Sequence, residues 1–258
     1  MTAEAEAAVG RGPAGPDGGL AAVRAALGAV VDPELDEPIT DLGFVRSIVI
    51  DDGVAEVHLR LPTSFCAPNF AYLMASDAYE AVERVPGISR VVIELDDHHD
   101  SDLINRGLAD RAGYRGTFKH EADESLDELR ATFLRKGHTA AMERAITALL
   151  RTAPDTDVWA LTLADLPDAD ALRRRRAALG YSTDPDDPVL LNDDGTRPTR
   201  EGAEMRLRRA RSVRISVDGN AHFCRGLLAT RYPGAENDQA PRADDRPLLP
   251  LIFEEAAR

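Results

Sequence analysis

The sequence predicts an α+β protein: a small two-layer α-β-β-α-β domain, then a helical segment and a mixed α/β C-terminal region. Three observations predict it. Val45 to Ile50 and Val54 to Leu61 are strand-like runs joined by Asp51-Asp52-Gly53, a hairpin-turn composition. Two stretches with apolar residues at helical spacing, Leu20 onward and Asn69 to Val85, bracket that hairpin. Pro86-Gly87 then breaks the second helix ahead of a third strand, Ile88 to Leu95, which gives two helices on one small sheet.

Residues 1–19 are rich in Ala, Gly, Glu and Pro without periodic apolar positions and predict a disordered tail. Val23, Leu27, Val30 and Val31 mark the inner face of the first helix, which Pro33 should stop. Phe70, Leu73, Met74, Ala78 and Val82 mark the second. This domain spans residues 20–97. The 98–153 extension reads as helical: Leu103, Ile104 and Leu108 first, a break at Gly113 to Gly116, then helices over Asp123 to Lys136 and Thr139 to Arg151 separated by Gly137. Ser125 to Glu128 has the form of a capping box. Residues 154–233 predict strands at Val158 to Leu163, Pro188 to Leu191 and Ser212 to Val217. Helices are expected around Arg173 to Arg176, Glu201 to Arg211 and Ala221 to Arg231, with a turn at Asp218 to Asn220. The 234–258 tail carries an apolar island, Leu248 to Phe253.

At 258 residues the chain is long enough for one or two domains with a sizeable core. A formal charge of −14 argues against nucleic acid and against an anionic membrane surface. No apolar run approaches the ~20 residues that a membrane-spanning helix needs. No basic segment followed by an apolar one opens the chain, so a cytoplasmic address is expected. The phosphate-binding and nucleophile-elbow signatures are absent. With two cysteines and no Cys-x-x-Cys, the chain has no disulfide framework and no four-cysteine cluster of its own.

Cys66 lies between a strand-like and a helix-like run, in Leu61-Pro62-Thr63-Ser64-Phe65-Cys66-Ala67-Pro68-Asn69. A thiol at a helix start faces N–H donors and the positive end of the dipole, which favour thiolate. Upstream stand Val31-Asp32-Pro33-Glu34 and Ile39-Thr40-Asp41-Leu42-Gly43-Phe44-Val45; downstream is Val85-Pro86-Gly87-Ile88. In this order the residues resemble the PaaD/SufT-type domain of iron–sulfur cluster assembly factors, over about residues 20–97. The resemblance implies the same α+β fold and a site at Cys66 with Asp32 and Glu34 nearby. One departure stands out: the family usually has proline directly after the cysteine, and here Ala67 intervenes before Pro68.

Each candidate has a structural alternative. Asp32 and Glu34 either tune a metal site or shape a turn. Thr63 and Ser64 either hydrogen-bond a Cys66 thiolate or cap the following helix. Cys224 with His222 forms a second point of interest. If the regions pack together, Cys66, Cys224 and His222 make a soft ligand set for zinc, ferrous iron or a cluster edge; otherwise Cys224 is packing. A homodimer with two cysteines per copy is another way to hold a four-iron cluster. His98-His99-Asp100 reads as a metal site or as a solvated linker. The Arg173 to Arg176 run reads as a patch for an acidic partner or as a solvated face.

The expected function is accessory: transient binding of an iron–sulfur cluster or iron at Cys66, and delivery to a protein client, an apo-metalloenzyme. The resemblance implies a client class, soluble diiron monooxygenase systems. The rivals are an enzyme that uses Cys66, or Cys224 with His222, on a small molecule, and a metal-free client chaperone.

Overall fold

The computed structural model describes residues 16–119 and 126–241. The expected tail up to residue 15, His120, the Ser125 capping box and the Leu248 to Phe253 island lie outside them.

The first helix, α1 (Pro16–Leu27), ends well before Pro33. Val31–Asp32 (β1) and Glu37–Pro38 (β2) instead form a tight antiparallel pair, with Val31 opposite Pro38 and Asp32 opposite Glu37. The reason is local. The Asp32 carboxylate accepts the backbone N–H groups of Glu34 and Leu35, both at 2.8 Å, a turn geometry that competes with helix. Asp32 and Glu34 therefore sit in a hairpin loop, not at a helix C-terminus.

Val45–Asp51 (β3) and Val54–Arg60 (β4) pair antiparallel around Asp52 and Gly53, both at positive φ (45° and 76°) as this hairpin turn requires. Pro68–Glu83 (α2) crosses over to Arg90–Asp96 (β5), which pairs parallel with β4, so the sheet order is β3-β4-β5. Ala55, Val57 and Leu59 stand opposite Val91, Ile93 and Leu95, and this buried face packs against α1 and α2. Burial of each Val, Leu or Ile side chain among them contributes about 1.5–3 kcal/mol. The expected α+β domain is the observed one. Ser101–Ala109 (α3) and Gly113–Phe118 (α4) add to the same core through Ile104, Leu108 and Phe118. The Gly113 to Gly116 stretch is thus a short helix, not a break; Gly113, at φ 68°, starts it, and Tyr72, Tyr114 and Phe118 cluster across it.

The rest of the described chain is helical. Leu126–Thr152 (α5) runs unbroken through Gly137. That glycine answers a close approach: a β-carbon there would lie 2.5 Å from the Asp36 carboxylate. Asp170–Ala178 (α6) follows, then Ala203–Arg231 (α7), a single helix where a helix, a strand and a second helix were expected. The helical period of α7 is carried by charges. Arg211, Arg214 and Asp218 lie on one face, where Arg211 and Arg214 meet the fully buried Glu143 of α5 and Asp218 meets Arg144.

No strand forms at Val158 to Leu163 or Pro188 to Leu191; the two runs share one antiparallel bridge, Thr162 to Pro188. The C-terminal region is therefore helical rather than mixed α/β. Two arginines replace the missing strand partners. Arg176 donates to the Pro188 and Val189 carbonyls at 2.7 and 2.9 Å, and Arg206 donates to the Leu191 carbonyl at 2.6 Å. Arg175 pairs with Asp36, so half of the Arg173 to Arg176 run is turned inward instead of lying on a solvated face. A second core of Met142, Ile146, Leu163, Leu172, Val189, Leu190 and Ala210 closes around these contacts.

Helix α7 belongs to both cores. Ala210 lies in the second, whereas Ala221 and Leu228, with Ala235 beyond the helix, lie in the first. Beyond α7, residues 235–240 strap across the Asp41-Leu42-Gly43 motif, where the Ala240 N–H and the Arg225 guanidinium both donate to the Asp41 carbonyl at 2.9 Å. Gly43, at φ 76°, has room only for hydrogen, because a β-carbon would lie 3.0 Å from Gln239 and 3.3 Å from Leu228. Among the described residues no helix is long and apolar enough to cross a membrane.

Candidate thiol site between the domain and its helical extension

Cys66 lies immediately before Ala67, the residue that caps α2, and Pro68 occupies the first helical position. The Thr63 hydroxyl lies 3.5 Å from the Cys66 sulfur and accepts the Phe65 N–H at 3.2 Å. Ser64 supplies its carbonyl to the His99 N–H at 2.9 Å. No side chain caps α2, so Thr63 and Ser64 shape the thiol turn.

His98 has a role that the sequence reading of the His98-His99-Asp100 run did not include. It is 7% exposed, and its Nδ1 accepts the Asp100 N–H at 3.1 Å. That bond fixes the tautomer, so Nε2–H donates to the Cys66 carbonyl at 2.8 Å. His98 is a buried clamp on the cysteine turn, neither metal ligand nor solvated linker. Its neighbour His99 is exposed and stacks on Phe65, with ring centroids 6.0 Å apart. A histidine pair directly after a strand was the available signal; its direction depends on the partner loop.

Cys224 reaches this site from α7. Both thiols are free, partly exposed and packed against the same core cluster. One turn before Cys224, Asn220 donates to Glu34 at 3.3 Å; one turn after, Leu228 packs at Gly43. Arg231 completes the seat by donating to the Leu61 and Asp97 carbonyls. Burial, then the negative charges of Asp32, Cys66 and Glu34, push the Cys224 thiol up to about 12. Asp32, 7% exposed, is also pushed up, to about 6, because burial outweighs its two backbone hydrogen bonds.

Cys66, Cys224, Asp32 and Glu34 thus lie in one neighbourhood, with Thr63 and Ser64 in the Cys66 turn. His222 does not join them. It is exposed and two positions from Cys224 on a helix, a spacing that points side chains apart. Among the described residues no group of three or more His, Cys, Asp or Glu is placed to hold a metal ion. The two thiols are soft ligands of a kind suited to iron.

An α+β domain that presents a cysteine at the opening of its second helix, together with an Asp-Pro-Glu hairpin, defines the class: a thiol-presenting α+β domain. Residues 20–95 match the iron–sulfur cluster assembly protein family, and the chain belongs to it. It is 44% identical over 82 residues to an iron–sulfur cluster carrier protein of Mycobacterium tuberculosis, which covers 31% of this chain and 21% of the relative. A carrier of the same description from Mycobacterium leprae is 37% identical over 76 residues, covering 29% of this chain and 19% of the relative. An uncharacterized protein of Methanocaldococcus jannaschii is 31% identical over 87 residues, covering 33% of this chain and 90% of the relative. The chain spans about a fifth of the mycobacterial carriers it matches, 21% and 19% of their lengths.

Proposed function

We propose that this protein accepts an iron–sulfur cluster, or iron, at Cys66 and Cys224 and passes it to a protein client. One observation carries the reading. The family's cysteine and a second thiol, supplied by α7, pack against the same core cluster, with Asp32 and Glu34 close enough for their charge to raise the Cys224 thiol. Cargo is held as thiolate ligands to iron. Binding of iron displaces the Cys224 proton to solvent, since the thiolate is the ligand. Release reverses the exchange as client thiolates replace these ones. A reducing, cytoplasmic setting keeps both thiols free. Diiron monooxygenase systems are the client class this reading favours, with the helical extension as the surface that recognises the client.

The test is cluster transfer. Wild type, reconstituted anaerobically with ferrous iron and sulfide, should develop broad visible absorption and pass its load to an apo-ferredoxin acceptor. Cys66→Ser should keep its circular dichroism and lose the transfer. Undiminished transfer by Cys66→Ser would overturn the reading.

A further inference from the structure

We infer that a C-terminal segment of this chain, Leu248 to Glu255, docks along the outer face of α7 as an extended strap. The first ground is the face. Met205, Ile215 and Phe223 expose 51%, 47% and 66% of their surface, and among the described residues no other element exposes more than one large apolar side chain. With Ser212 and Gly219 they recur at helical spacing and form one stripe. Open space stands where a Gly219 β-carbon would be, so a second backbone has room to lie close to the helix. Arg208, Arg209 and Arg211 are exposed within or beside the N-terminal part of the stripe. Arg208 pairs with the equally exposed Glu204, a surface contact that competes weakly with a new partner. From Met205 to Arg231 the helix has one carboxylate, Asp218, and it is buried against Arg144 and Arg214. On a chain of charge −14 this face is apolar and cationic.

The second ground is the composition of the segment. Leu248, Leu249, Leu251, Ile252 and Phe253 form an apolar run that Glu254 and Glu255 follow directly. Pro247 and Pro250 favour extended backbone at and before their positions. Apolar residues followed by acids complement a stripe that runs from Phe223 to a cluster of arginines.

The third ground is reach and register. The described chain extends to Pro241, and Arg225 of α7 donates to the Ala240 carbonyl at 3.0 Å. An extended run from Ala240 to Leu248 spans up to about 26 Å. Half the circumference of a helix is about 17 Å, so Leu248 reaches the far side of α7 at Phe223. From there the strap advances about 3.3 Å per residue and the helix about 1.5 Å. Running towards the start of α7, the strap therefore carries Leu251 and Ile252 past Ile215 and sets Glu254 and Glu255 beside Arg208 and Arg209.

The measurement is photocrosslinking of the full chain with p-benzoylphenylalanine in place of Phe253, mapped by mass spectrometry. The expected product is crosslinked within one chain, at the 28.0 kDa mass, to α7 between Met205 and Ile215. Its yield should fall severalfold at high salt. Glu254→Arg with Glu255→Arg should lower the yield severalfold, and Arg208→Glu with Arg209→Glu in the same chain should restore it, all with the circular dichroism of wild type. Crosslinks that map elsewhere on the chain, form only between chains or do not form would overturn the inference. A yield that ignores the charge reversal would overturn the register.

Discussion

The two halves of the molecule close their cores by different means. In the first, strands satisfy one another: β4 pairs on both sides, and apolar residues alternate along it. In the second, extended segments at residues 158–163 and 188–191 meet at a single bridge, and arginine side chains take the carbonyls that strands would have shared. A sheet is specified by short-range alternation, which is robust to single changes. An arginine-capped loop depends on one side chain from a distant helix. The carrier relatives match only the first half, yet the second half delivers Cys224.

The sharpest break in that comparison is Arg176→Ala. Arg176 is almost fully buried, and its removal leaves one buried and one part-buried carbonyl without donors. Loss of about 3–5 kcal/mol is expected in urea unfolding, with β4 and β5 amides still protected in hydrogen exchange while α6 opens. Equal loss of protection in both halves would show that they unfold as one unit.

Acid titration should separate the halves next. Burial, with Arg176 and Arg206 nearby, holds His138 down at about 4. The fold disfavours its charged form, so its contribution is intact above pH 6.5 and lost as pH falls towards 4. Asp32 runs the other way: its folded value of about 6 lies above the ordinary 3.8, so its contribution is present below 3.8 and lost as pH rises through 6. Each shift corresponds to about 3 kcal/mol. The stability of His138→Leu relative to wild type should therefore improve by about 3 kcal/mol between pH 7 and pH 4, and that of Asp32→Asn should worsen by a similar amount. Parallel pH profiles for wild type and both variants would refute the assignment.

His98→Ala should have the smallest global effect, about 1–2 kcal/mol, from an unsatisfied Cys66 carbonyl. Its local effect is the informative one. With the clamp gone, iodoacetamide should label Cys66 severalfold faster while Cys224 labelling stays unchanged. An unchanged Cys66 rate would show that the turn holds itself.

Much of the first half was legible because its signals are local. Asp52-Gly53 demands positive φ, Pro86-Gly87 stops a helix, and alternation at Ala55, Val57 and Leu59 marks one buried face. The second half misled because its apolar runs resemble strands. Ser212 to Val217 alternates like a strand, but the residues that decide its conformation are Arg214 and Asp218, one helical turn apart and paired with α5. Gly137 read as a helix break for the same reason: the Asp36 carboxylate that requires it comes from another part of the chain.

The order of motifs from Asp32 to Gly87 determined by itself the α+β domain and its cysteine turn, since hairpins, proline stops and short-period alternation depend on neighbours along the chain. Only the tertiary structure decided that Cys224 joins Cys66, that His222 turns away and that His98 clamps the turn. Those outcomes depend on how a long helix docks across two cores, and docking is fixed by buried contacts between residues far apart in sequence.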